Sequence, residues 1–196
     1  MTWRMSCGSA VRPMTGEAQS GDAVFSWSSA DGRGLFAVVD ALGHGVAASQ
    51  SAKLAVSVIE RFRDAPLGEL FVQVHAALEG RRGAVMSAIH FVDGRATFAG
   101  VGNVELLGAA DVPRPPCLPG VLGSGRLYLR PAPLLLTPGA RWALVSDGLR
   151  QRDLRAAWDL AAPLPPGAAA HVLLERAGRP DDDASALLID FDEETP

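Results

Sequence analysis

Four aspartates stand where apolar strand patterns break. They are Asp22 in Ser20-Gly21-Asp22, Asp40 in Val38-Val39-Asp40-Ala41-Leu42-Gly43-His44-Gly45, Asp147 in Val145-Ser146-Asp147-Gly148, and Asp182 in Asp181-Asp182-Asp183-Ala184-Ser185. A carboxylate at a strand end is held by a rigid sheet and still meets solvent. Several converging there would repel one another, and a bound divalent cation relieves that repulsion. All-oxygen ligands suit magnesium or manganese. Each aspartate alone has a plainer reading. Asp40 could cap the helix that follows it, Asp22 and Asp147 could sit in turns, and Asp182 and Asp183 could be a solvated acidic run. Recurrence at four strand ends, spread over the whole chain, points instead to a hard-metal hydrolase site.

The elements that would position these residues are legible in outline. Ala23–Ser28 and Gly34–Asp40 read as strands joined by Asp31-Gly32. Helical periods follow over Val46–Arg63 and Leu67–Arg81, with Pro66 at their boundary. Ala84–Val92 and Arg95–Val101 form a second hairpin around Asp93-Gly94, and Val104–Ala109 continues as a strand. Val112–Gly125 is rich in proline and glycine and reads as a loop. Strands are expected at Leu127–Leu129, Leu134–Leu136, Arg141–Ser146 and Ala184–Phe191, and helices at Leu149–Leu160 and Ala168–Ala177. Pro163–Gly167 reads as a linker, residues 1–20 as irregular, and Asp192–Pro196 as an acidic tail. Strands and helices are segregated, which argues α+β layers and not a doubly wound fold. One domain is expected over residues 1–196.

Composition narrows the function. The formal net charge of −4 argues against a nucleic-acid partner. Of 18 basic residues only Lys53 is lysine, which leaves 17 arginines, scattered and balanced by acids. Cys7 and Cys117 lack metal-ligand spacing and make no disulfide framework, so a reducing cytoplasm is expected. Neither cysteine lies in a phosphate-cradling loop, which disfavours a cysteine phosphatase. No secretory leader or membrane span is expected.

Six short motifs in this order resemble the metal-dependent protein serine/threonine phosphatases of the PPM, or type 2C, class, in their SpoIIE-like branch. They are Arg12-Pro13…Gly16-Glu17…Ser20-Gly21-Asp22, Asp40-Ala41-Leu42-Gly43-His44-Gly45, Gly100-Val101-Gly102-Asn103-Val104-Glu105, Pro119-Gly120-Val121-Leu122-Gly123, Val145-Ser146-Asp147-Gly148-Leu149 and Asp182-Asp183-Ala184-Ser185. The resemblance runs from Arg12 to Phe191. It implies two antiparallel sheets in a sandwich flanked by helices, with two Mn²⁺ or Mg²⁺ ions between the sheets. It implies that Asp40 bridges the metals and that the Ala41 carbonyl completes one of them. Asp147 and Asp182, with Asp183 beside them, would hold the other, and Asp22 would ligate or orient a bound water.

Within that branch the chain looks most like the phosphatase that resets the stressosome. A monomer acting on a phosphorylated STAS-domain protein is therefore implied, of the stressosome or anti-anti-sigma type. Three further residues stay open. His44 could protonate the leaving group or pack in its turn. Asn103 and Glu105 could line the site or be ordinary strand-face residues. Arg12 is a candidate for gripping phosphate. Two rival functions also stand: a silent binding module that keeps the fold, and a small-molecule phosphatase.

Overall fold

The computed structural model describes residues 2–109 and 112–194. In chain order the elements are β1 (Thr2–Arg12), β2 (Asp22–Ser28), β3 (Gly34–Ala41), α1 (Gly45–Arg61), α2 (Leu67–Leu78), β4 (Ala84–Val92), β5 (Arg95–Val101), β6 (Glu105–Leu107), β7 (Ala132–Leu134), β8 (Ala140–Val145), α3 (Gln151–Ala161), α4 (Pro166–Ala177) and β9 (Ala184–Glu194). They build two antiparallel sheets, ordered β1-β9-β8-β6 and β2-β3-β4-β5-β7.

Strand periodicity decides which layer each side chain enters, because successive residues point to opposite faces. On β3, Leu35, Ala37, Val39 and Ala41 pack against Ala52, Ala55 and Ile59 of α1 and Leu70, Phe71 and Val74 of α2. Phe36 and Val38 face the other sheet and meet Trp142, Leu144, Leu187, Ile189 and Phe191. On that second sheet, Ala143, Val145, Ala186 and Leu188 turn to α3 and α4, meeting Leu154, Ala157, Leu173 and Ala177. The result is four layers: helices, sheet, sheet, helices. Each fully buried Leu, Ile or Phe stabilises the stack by roughly 1.5–3 kcal/mol.

Several sequence expectations are met closely. The hairpin β4–β5 has the expected bounds, and its turn places Asp93 at φ 50° and Gly94 at φ 74°. Two positive φ values are what a type I′ turn demands, and Asp-Gly supplies them. Others are corrected. Residues 2–12 are not irregular: they form an edge strand in register with β9 from Thr2↔Glu194 to Arg12↔Ala184. The supposed acidic tail is largely strand, since β9 runs on to Glu194; Met1, Thr195 and Pro196 lie outside the described residues. Leu127 and Leu129 are not in a strand but pack as loop residues on the α1/α2 core. The strand expected at 134–136 lies instead at Ala132–Leu134, on the sheet edge, where Pro133 removes no interior ladder bond. Helix α4 begins inside the expected linker, with Pro166 in its first turn, a position where a missing N–H costs nothing.

Candidate active site

The four predicted aspartates meet at one end of the layer between the sheets. Asp40 shares the inward parity of Phe36 and Val38, and Asp22 sits directly across from it in the β2–β3 register. The turns that bracket the facing sheet supply the rest. Asp147 follows β8, and Asp182 and Asp183 precede β9. Ser146 and Ser185 continue the inward parity of Leu144 and Leu187 and are both buried. Burial falls outward across the cluster, with Asp22 only 5% exposed, Asp40 and Asp182 half-buried, and Asp147 exposed.

The electrostatics follow from that placement. Burial, then the negative charges of Asp22, Asp147 and Asp182, push Asp40 up to about 9. Burial likewise raises Asp22 to about 7, opposed by the nearby hydroxyls of Ser146 and Ser185 and helped by the charges of Asp183 and Asp147. The hydroxyls do not satisfy it. Asp22 Oδ2 and Ser185 Oγ are buried without a hydrogen-bond partner, while Ser146 Oγ accepts the Ser185 N–H at 2.9 Å. Asp182 is raised too, chiefly by burial and then by Asp147, with Arg179 acting against them. An orphaned buried carboxylate oxygen amid mutually repelling carboxylates fits a hard divalent cation. Among the described residues, no three acidic, imidazole or thiol groups form a preformed cage. Two of the carboxylates are turned onto protein partners: Asp147 Oδ2 accepts Asn103 Nδ2 at 2.7 Å, and Asp182 Oδ1 accepts the Asp183 N–H at 3.0 Å.

Close backbone approaches lock the loops. Both oxygens of Asp183 accept backbone N–H groups, from Met14 and from Gly21, each at 2.8 Å. Asp183 is thus the clamp that ties the β1–β2 loop to the turn before β9. A Cβ on Gly148 would come within 1.8 Å of the Asp183 carbonyl oxygen, so only glycine lets the Asp147 turn pass. The Ala41 N–H donates to the Gly21 carbonyl at 3.1 Å, which ties Ala41 to the same loop.

The open residues separate clearly. Asn103 belongs to the site through its bond to Asp147, whereas Glu105 has the parity of Leu107 and faces α3. His44 is exposed at the start of α1, its Nδ1 2.7 Å from Glu17 Oε1. It is neither packed in the turn nor free, because Glu17 holds it. Arg12 donates to the Arg179 carbonyl and so buttresses the loop before Asp182. Sequence reasoning missed Ser146 and Ser185, whose signal was present as strand parity. It also missed Arg179, for which no sequence signal existed.

The comparisons with known proteins bear on this arrangement. The family model for stage II sporulation protein E, SpoIIE, matches residues 30–192. The chain belongs to the SpoIIE family. It is a PP2C-type serine/threonine phosphatase domain, and the match spans three of the four aspartates. No curated protein matches the sequence. Among solved structures, a protein from work on the bacterial stressosome, described as a modular system adapted to control secondary messenger signaling, is 29% identical. The alignment covers 95% of this chain and 99% of that one, with a TM-score of 0.85. RsbX in complex with magnesium is 19% identical over 95% of each chain, at a TM-score of 0.83. The catalytic domain of the serine/threonine phosphatase PstP with two manganese ions is 18% identical. That match covers 98% of this chain and 100% of that one, at a TM-score of 0.76. At those last two identities the likeness is one of fold, and the expected sandwich is the observed one. Among the described residues no helix is long and apolar enough to cross a membrane.

Proposed function

We propose that this SpoIIE-family phosphatase dephosphorylates serine or threonine on a STAS-domain protein of a stressosome-type module, using two Mn²⁺ or Mg²⁺ ions held between its sheets. The observation that carries the metal reading is the orphaned Asp22 Oδ2 beside a half-buried Asp40 and two further carboxylates. The likeness to a stressosome protein over 99% of its length supports the substrate class. Asp40 lies at the centre of the cluster and is the proposed shared ligand, with the Ala41 carbonyl beside it. Asp147 and Asp182 are the proposed outer ligands. Asp22, deepest of the four, orients water or ligates, and Asp183 holds the loop that carries it. When bound, divalent cations would supply Lewis-acid activation of water and neutralise phosphoryl charge. Asn103 fixes the Asp147 carboxylate, and the dry sheet faces below exclude bulk water from the cluster floor.

The test uses the purified chain with Mn²⁺ and three substrates: p-nitrophenyl phosphate, a phosphorylated STAS protein, and a phosphopeptide copied from it. The folded STAS protein should be turned over much faster than the peptide, and chelator should abolish all three reactions. Full turnover after exhaustive EDTA treatment would remove the metal reading. Equal rates on protein and peptide would remove the STAS reading and leave the phosphatase.

A further inference from the structure

Beside Asp147 lies an open concavity of about 470 Å³ lined by Asp147, Leu149, Arg150, Gln151, Arg152 and Arg179. Three guanidinium groups and the Asp147 carboxylate line it, with Asp153, Asp181 and Asp182 in ion-pairing reach behind the arginines. Its geometry is built by backbone. Leu149 and Gly178 form an isolated antiparallel bridge, the Arg179 N–H donates to the Gly148 carbonyl at 2.7 Å, and the Arg150 N–H donates to the Ala177 carbonyl at 2.8 Å. Residues 150 and 179 are diagonal neighbours across that bridge. Both arginines line the concavity, and the Leu149 side chain between them and the core is buried. Arg12 holds the same bridge from behind through the Arg179 carbonyl.

The guanidinium groups are weakly engaged. Arg179 Nη1 lies 3.5 Å from Asp182 Oδ2 and its Nη2 lies 3.5 Å from Asp181 Oδ2, while Arg150 Nη1 lies 3.8 Å from Asp153 Oδ2. These are long, solvent-exposed pairs, which contribute little and yield readily to a better anion. Guanidinium groups grip phosphoryl oxygens in a planar fork, and nothing else at the mouth offers that.

We propose that Arg179 and Arg150 are the phosphoryl-binding pair of this enzyme, placed by the 148–150/177–179 bridge and reaching the phosphate from the Asp147–Asp182 side. The proposal rests on the phosphatase reading above. It also assigns Arg12 a supporting place, since its guanidinium is spent on the Arg179 loop.

The experiment compares the wild-type chain with Arg179→Met, Arg150→Met and the double variant. Met keeps an apolar stem and removes the charge. With Mn²⁺ present, three quantities are read: KM and kcat for p-nitrophenyl phosphate, inhibition by inorganic phosphate, and Mn²⁺ affinity by calorimetry. The double variant should raise both KM and the phosphate inhibition constant by about tenfold to a hundredfold, the range for lost charge-assisted hydrogen bonds. Mn²⁺ affinity should stay within twofold, and Arg179→Lys should recover part of the loss. Unchanged KM and phosphate inhibition would overturn the proposal. So would a parallel fall in Mn²⁺ affinity, which would mean that the arginines serve the carboxylates and not the substrate. If the double variant does not fold, the two single variants give the same readouts. If the wild type shows no turnover, the phosphatase reading fails, and calorimetric titration of phosphate into wild type and Arg179→Met still decides the arginine assignment.

Discussion

The layer between the sheets has two ends built from the same strands and the same inward parity, and they are chemical opposites. At one end Phe36, Phe91 and Phe191 close a dry cluster, with ring centroids 5.5 Å apart for Phe91–Phe191 and 6.3 Å for Phe36–Phe191. At the other end the same alternation delivers Asp22, Asp40, Ser146 and Ser185. The apolar end gains from every contact it makes. The acidic end loses, because burial strips water from carboxylates that then repel one another. The dry end supplies the rigidity that holds the carboxylates of the acidic end together, a charge state that a bound cation would relieve.

Breaking the comparison from the acidic side should have the largest effect. Asp40→Asn removes charge from the centre of the cluster. Phosphatase activity with Mn²⁺ is expected to fall by roughly a thousandfold or more. The metal-free variant should melt no lower than the wild type, because repulsion is relieved. Near-full activity in a folded Asp40→Asn protein would place the chemistry elsewhere.

From the apolar side, Phe191→Ala should cost about 3–5 kcal/mol, as Phe is fully buried there. That corresponds to a melting temperature lower by roughly 10 °C. Activity per folded molecule should change far less than in Asp40→Asn, since Phe191 lies seven positions along β9 from its acidic end at Ala184. A loss of activity matching that of Asp40→Asn would show that the two ends are not separable.

The pH dependence sharpens the contrast further. Asp22 and Asp40 are raised to about 7 and about 9 in the fold, while in the unfolded chain both titrate near the ordinary carboxylate value. Below about pH 4 both states hold the protons, so these groups add no pH dependence. Above it the unfolded chain ionises first. The metal-free protein should therefore lose stability steadily as pH rises from about 4 through 7 to 9. Saturating Mn²⁺ should offset part of that loss, by about 2.7 kcal/mol at a hundredfold excess over its dissociation constant. Melting curves across pH with and without Mn²⁺ check this, and curves that rise with pH in the absence of metal would contradict it.

The smallest expected effect is at the rim. Asn103→Ala frees Asp147 from its 2.7 Å donor. Activity or Mn²⁺ affinity should drop by about tenfold, as for other residues that orient a ligand. Asn103→Asp should be worse than Asn103→Ala, because it adds a further carboxylate to the cluster.

Much of this was legible before any coordinates, and the residues say why. Asp22 and Asp182 precede local apolar strand runs, Asp40 and Asp147 follow them, and the Asp93-Gly94 turn is coded by two adjacent residues. Such signals are contained within a short window. The first strand, β1, was not legible, because what makes it a strand is β9, whose partner residues lie over 170 positions away in sequence. Trp3, Met5 and Cys7 alternate with Arg4 and Ser6, but Gly8-Ser9-Ala10 breaks the pattern before a full strand is spelled out. Leu127 and Leu129 misled for the converse reason: they are apolar because they cover α1 and α2, and no strand lies beside them to pair with.

The sequence by itself therefore determined most of the strand and helix segments, and that acidic groups sit where four of the apolar strand runs begin or end. Periodicity and turn chemistry are local, so they survive without knowledge of the partner. Only the tertiary structure decided that the four stops converge at one end of the sandwich. It also decided that both oxygens of Asp183 accept the Met14 and Gly21 N–H groups, and that Arg150 and Arg179 line one concavity beside Asp147. Those are relations between segments far apart in the chain, fixed by strand order, register and close backbone contacts such as Gly148 on Asp183. No single segment carries that information.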